Sequence, residues 1–301
     1  MKILILGAAI IDKMMWVDRL PRSGDDVSCT RTLEVVGGCA FNVASTLRNL
    51  HVPHDLCVPV GKGYHADVIR CVLSEKGYPL LIEDGRMDNG YCITLVEREG
   101  ERSFITVQGA ECDFQEEWFR NLDISSYDMI YVAGYQTLGK SGDIITRWLL
   151  RSMAEKTTLF LAPGPVINDI PPEVMDRFFS LSPVIHLNEK ELQEYTGEKR
   201  LEDGLAALYE KSGNTIIVTL GKKGSAMYEK GRLTIVPTAP VPVVDTVGAG
   251  DSHIAAIMGF LAKGEPLGKT VEKANQVSGI TVQVSGPTVD EDTFLQMMKE
   301  K

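Results

Sequence analysis

Asp245-Thr246-Val247-Gly248-Ala249-Gly250-Asp251 decides how this chain is read. The stretch follows an apolar run broken by prolines (residues 236–244) and opens a helix-like segment, residues 252–262. Glycines at a helix entrance leave backbone N–H groups uncovered. The orphan amides of the first turn and the positive end of the helix dipole then form a seat for an anion. A carboxylate in that seat repels phosphate unless its task is to take a proton from an attacking hydroxyl. Asp251 therefore points to phosphoryl transfer, with Gly248, Ala249 and Gly250 as the amide cradle. An aspartate capping a helix behind a tight turn gives the same letters, so a second motif has to decide.

That motif is Gly37-Gly38-Cys39-Ala40-Phe41-Asn42-Val43-Ala44. Paired glycines end an extended segment, and Ala40, Val43, Ala44 and Leu47 then fall at helical spacing. Asn42 is left in the first turn, facing whatever lies beyond the strand ends. Further landmarks follow in order: Gly7 to Asp12, Asn188-Glu189-Lys190-Glu191, Thr219-Leu220-Gly221-Lys222-Lys223-Gly224, and Asn275. Taken together, these stretches resemble the two signatures and intermediate landmarks of the ribokinase-like (PfkB-type) carbohydrate kinase family. The resemblance covers nearly the whole chain.

The resemblance implies an ATP-dependent kinase of a small sugar or nucleoside, with Asp251 as general base and the amides of Gly248, Ala249 and Gly250 holding the developing charge. It implies a polyol clamp of Asp12, Gly38 and Asn42, with Arg102 reaching in from a lid. On the nucleotide side it implies Asn188, Thr219, Gly221, Gly224 and Asn275. Glu191 would organise Mg2+ through water, and Asp245 would hold a monovalent cation, K+ in relatives. Each residue also has a plainer reading. Asn188 and Glu191 form a capping box by residue type, Asp12 and Asp245 suit strand-end turns, and Arg102 suits a surface ion pair. His253 lies two residues past Asp251, so on a helix it points elsewhere and reads as a packed histidine. Cys39, next to the glycine pair, is expected near the substrate.

Residues 2–6 and 41–49 read as strand then helix, as do 55–60 and 66–76, and 129–133 and 141–155. The rhythm continues through strands at 158–162, 184–187 and 216–219, with helices at 173–180, 189–196 and 204–211. Such alternation argues for a doubly wound, mostly parallel sheet between helices, in one unit spanning residues 1–301. Ligands of such sheets bind beyond the strand C-termini. Residues 14–36 and 91–108 break the rhythm and read as antiparallel strands of a small separate sheet. The resemblance makes that sheet a lid, and a homodimer contact in several relatives.

Composition narrows the function. A formal net charge of −10 argues against nucleic acid and anionic membrane as partners. No apolar run approaches bilayer length. The six cysteines form no C-x-x-C pair and have no zinc-type spacing to histidine, as expected of free thiols in a reducing cytoplasm. Only Gly7 follows the first strand, so the G-x-G-x-x-G of a nicotinamide-binding fold is missing. The apolar Ile10 stands where ribose kinases often carry a polar residue, which favours a nucleoside such as pseudouridine. A catalytically idle sugar-binding protein on the same scaffold is the remaining alternative, and it would have no need of Asp251.

Overall fold

The computed structural model describes residues 1–299. Its main sheet has eight strands, in the spatial order Arg232–Val236, Ser225–Glu229, Ile216–Thr219, Val184–Asn188, Thr158–Ala162, Met129–Ala133, Ile3–Leu6 and His54–Cys57. All pairings are parallel except those of the two strands at the first edge. The central strands are apolar on both faces because helices cover both. Ile3, Ile5, Tyr131 and Phe160 belong to one core, with the helices Cys39–Asn49, Ala249–Ala262 and Leu267–Thr281. Leu4, Leu6, Ile130, Val132, Leu159 and Leu161 belong to the other, with Gly139–Ser152 and Pro172–Ser180. The period of two along each strand thus sorts its side chains between two buried layers.

Strand order reverses between Ile3–Leu6 and Met129–Ala133. The first strand leads outward to His54–Cys57 on one side, and all later parallel strands are added on the other. In a doubly wound sheet the ligand crevice lies at such a reversal, beyond the strand C-termini.

The small sheet is separate, with the order Cys29–Gly37, Ile10–Val17, Tyr91–Val96, Arg102–Val107. It differs from the expectation in two ways. Its second strand begins at Ile10 and so carries Asp12. Its central pair is parallel, with Ile11 opposite Tyr91 and Trp16 opposite Val96, and only the outer pairs are antiparallel hairpins. The reason is connectivity: a long crossover joins the two halves, and crossovers return strands in parallel.

Element boundaries shift in understandable ways. The strand expected at 55–60 divides, His54–Cys57 staying in the main sheet while Pro59–Val60 pairs with Ile82–Glu83. Pro59 has no amide with which to continue the ladder. The helix expected at 252–262 begins at Ala249, so the glycine motif is itself the first turn.

Candidate active site

Two helix N-termini meet at the crevice. The helix Cys39–Asn49 starts behind Gly38, whose φ of +94° is available to glycine without strain. A Cβ there would lie 2.8 Å from the carbonyl oxygen of Ala8. Neither this helix nor Ala249–Ala262 has a side-chain cap at its N-cap residue; Phe41 N donates to Ala8 O and Ala249 N to Thr246 O, each at 3.3 Å, while Gly250 N is left without a backbone acceptor among the described residues.

Asn42 and Asp251 face each other across the gap, Asn42 Nδ2 donating to Asp251 Oδ2 at 2.8 Å. The thiol of Cys39 is the second group placed to donate to Asp251. Burial raises the Asp251 carboxyl to about 6, and those two donors restrain the rise. Asp12 is raised to about 7, chiefly by burial and then by the charge of Asp251. Its carboxylate fills the space beside Gly37, where a Cβ would come within 1.9 Å of Asp12 Oδ2. Gly37 is a glycine because Asp12 has to lie there.

The cradle before Asp251 is held from behind. Gly248 has φ +76°, and a Cβ on it would meet the carbonyl oxygen of Pro287 at 2.1 Å. Gly250 faces open space, with nothing within 4 Å of a Cβ. One glycine therefore serves the backbone behind it, and the other keeps the space in front clear.

Asp245 is 2 % exposed and ties the cradle to a second loop. Its Oδ1 accepts from Val247 N at 2.9 Å and its Oδ2 from Gly286 N at 2.8 Å. Arg102 does not point into the clamp of Asp12 and Asn42. Its Nη1 lies 2.8 Å from Asp245 Oδ1, a buried ion pair between the small sheet and the cradle.

On the other side of the crevice, Asn188 and Thr219 are register partners at neighbouring strand ends. Asn188 caps the helix Glu189–Thr196, with Asn188 Oδ1 accepting from Glu191 N and Glu191 Oε2 from Asn188 N, each at 2.9 Å. The capping box is real, and it buries Glu191 to 8 % exposure, which raises its carboxyl. After Thr219 the chain turns through Gly221 (φ +56°), open to solvent, and Gly224 (φ +92°), packed on Val236 O. Asn275 is not free to flank a ligand. Its Oδ1 accepts from Ser225 Oγ at 2.6 Å and its Nδ2 donates to Val236 O at 3.0 Å. It braces the wall that Gly224 and Val236 form. His253 joins the same buried network, 2.9 Å from both Ser225 Oγ and His186 Nε2, and burial lowers it to about 4.

The pfkB family carbohydrate kinase pattern matches residues 1–293. The uncharacterized sugar kinase YegV of Escherichia coli (strain K12) is 32 % identical over 284 residues, covering 93 % of this chain and 88 % of that protein. The chain belongs to the pfkB family of carbohydrate kinases. Like its family, it is a phosphotransferase with an alcohol group as acceptor. Among solved structures, ribokinase from Thermotoga maritima superposes with a TM-score of 0.85 at 20 % identity, covering 99 % of both chains. Adenosine kinase from Sinorhizobium meliloti also gives 0.85, at 18 % identity, covering 100 % of this chain and 99 % of its own.

For a pfkB-family chain, sequence reasoning missed three contributors to the crevice. Tyr135 and Gln136 sit on the turn Gly134–Thr137 straight after a central strand, and Tyr135 feels the charge of both Asp251 and Glu191. Gln136 Oε1, Tyr131 Oη and Asn42 Oδ1 are buried without hydrogen-bond partners. The loop at Gly286 and Pro287 supports Gly248 and Asp245. Position past a strand end was the available signal for Tyr135 and Gln136; a Gly-Pro pair in a loop carried none.

Proposed function

We propose that this chain transfers the γ-phosphate of ATP to a hydroxyl of a small sugar or nucleoside, with Asp251 as general base. The observation that carries the reading is the juxtaposition of Asp251, Asn42 and Asp12 with an uncapped helix start whose Gly250 faces open space. The substrate oxygen attacks the γ-phosphorus as its proton passes to Asp251. The new O–P bond forms while the bond to the β–γ bridging oxygen breaks, and ADP leaves with that electron pair. The amides of Gly248, Ala249 and Gly250 take up the charge that develops. Asp12, Gly38 and Asn42 hold the substrate, and the unpaired Oδ1 of Asn42 is an acceptor ready for one of its hydroxyls. Thr219, Gly221 and Gly224 wall the nucleotide, with Asn275 behind them. The ribokinase of Arabidopsis thaliana, solved in complex with ribose and ATP, shares the fold at a TM-score of 0.75 and 22 % identity.

The chain acts as one unit over residues 1–301, of which 300 and 301 lie outside the described residues, and the small sheet is its lid. Glu191 fits Mg2+ held through water, since capping uses only its Oε2, and Asn188 holds Glu191 in place with its single side-chain oxygen. The metal would offset phosphate charge. Asp245 does not fit a monovalent cation, because both its oxygens are already paired, one with the Arg102 guanidinium.

All six cysteines are free, which supports a reducing cytoplasmic setting. Among the described residues no helix is long and apolar enough to cross a membrane. The lid's edge strand exposes Phe104 (57 %) and Ile105 (54 %), an apolar edge that a second copy would cover. Light scattering should give a dimer for the native chain and a monomer for Ile105→Glu. A monomeric native chain would end the dimer reading.

Coupled ADP release across sugars, sugar acids and nucleosides tests the whole proposal. Release that one substrate class stimulates, and that Asp251→Asn lowers by about 10²-fold or more, is the expected result. Failure of the chain to bind ATP–Mg2+ would overturn it.

A further inference from the structure

Arg102 lies beside the lid hairpin, on the strand Arg102–Val107 and opposite Val96. Nothing local calls for its side chain to be buried, yet only 14 % of it is exposed, against 0 % for that of Asp245. A carboxylate at that depth needs a positive partner or hydrogen bonds to every oxygen. Asp245 has both, because two backbone amides and the guanidinium converge on it.

The three contacts lie in series with the cradle. Val247 N fixes the residue before Gly248, and Gly286 N fixes the loop whose Pro287 backs Gly248. The backbone amides of Val244 and Asp245 both donate to Val282 O, at 2.7 and 3.1 Å, so the segment is held on a further side. The cradle's geometry thus depends on Asp245 staying in place, and the charge that balances Asp245 comes from the lid. Nη1 of Arg102 makes no directed hydrogen bond, so its contribution to Asp245 is charge and position.

We infer that Arg102 is a positioning residue that supplies, from within the chain, the positive charge a bound monovalent cation would otherwise provide at Asp245. The inference deepens the kinase reading and rests on it. A guanidinium is permanently charged and cannot be diluted away. This kinase is therefore independent of K+, and its phosphate cradle is fully ordered only while the lid strand is seated over it.

The test compares K+ with choline at equal ionic strength, reading both melting temperature and ADP release for the native chain, Arg102→Lys and Arg102→Ala. The native chain and Arg102→Lys should show the same melting temperature and turnover in either salt. Arg102→Ala should lose about 10- to 100-fold in turnover in choline, as for groups that orient a site from behind it. K+ or millimolar guanidinium should restore part of that loss and raise the variant's melting temperature. A native chain stabilised or activated by K+ overturns the inference. So does a folded Arg102→Ala that neither cation stabilises. The melting readout needs no substrate, so it stands even if the kinase reading itself fails.

Discussion

Asp251→Asn should lose about 10²- to 10⁴-fold in turnover, the usual contribution of a general base, and yet melt at a higher temperature at pH 8. The gain in stability follows from the shifted carboxyl. Its pKa is about 6 in the folded chain against the ordinary aspartate value of 3.8. A carboxyl raised on folding stabilises the fold below its unfolded pKa, and that contribution is lost as pH rises through the folded value. At pH 8 the native protein therefore carries a half-buried charge that asparagine removes, an effect on the order of 2 kcal/mol. Asparagine still accepts from Asn42 Nδ2, so the local packing survives. Relieved of the neighbouring charge, Asp12 should drop below its present value of about 7.

Melting curves of both chains from pH 5 to pH 8 check this. The gap should be widest at pH 8 and shrink as pH falls through about 6. His253, lowered to about 4 by burial, has the opposite sign: its contribution is present above its unfolded value and lost on acidification. Both chains carry it, so it cancels in the difference. An unchanged or lower melting temperature at pH 8 would show that Asp251 is not a strained charge. If Asp251 is the base proposed above, the same pKa should place the acid limb of native kcat/KM near 6, since a base works only when ionised.

Gly248→Ala and Gly250→Ala should part company. Position 248 needs φ of +76° and has a carbonyl oxygen 2.1 Å from any Cβ. Alanine there should cost about 2 kcal/mol or more from the left-handed backbone and the clash together, roughly 4–8 °C in melting temperature. Position 250 lies in the first helical turn with open space ahead. Alanine there keeps or slightly raises stability, because it suits a helix better than glycine. On the proposed mechanism its methyl group would stand in the path of the transferring phosphate, so turnover should still fall about 10-fold or more. Full activity in Gly250→Ala would remove the anion cradle from the mechanism, whatever happens at Gly248.

Much of this arrangement is written in near neighbours along the chain. The strand-then-helix rhythm, the glycine pair before Asn42, and the capping residues Asn188 and Glu191 each depend on contacts within a few residues. Backbone sterics and hydrophobic period fix such features locally. Asp12 and Asp251 stood out in the sequence for different reasons: Asp251 sits in a glycine-bracketed helix start, and Asp12 follows soon after the first main-sheet strand, though it lies within a strand of the small sheet.

Partner choice across the crevice was not legible. Arg102 reads as a lid residue and Asp245 as a turn or cation residue. Neither sequence neighbourhood indicates that the two meet at 2.8 Å. Asn275 was expected beside the nucleotide and is instead held by Ser225 and Val236, brought to it by the antiparallel edge strands. The parallel pair inside the small sheet likewise depends on where a long crossover returns. The sequence by itself determined the elements, their alternation and the chemical groups delivered to the strand ends, because short-range geometry dictates these. Only the tertiary structure decided which buried charge faces which, because that follows from the loops that the closed sheet brings together.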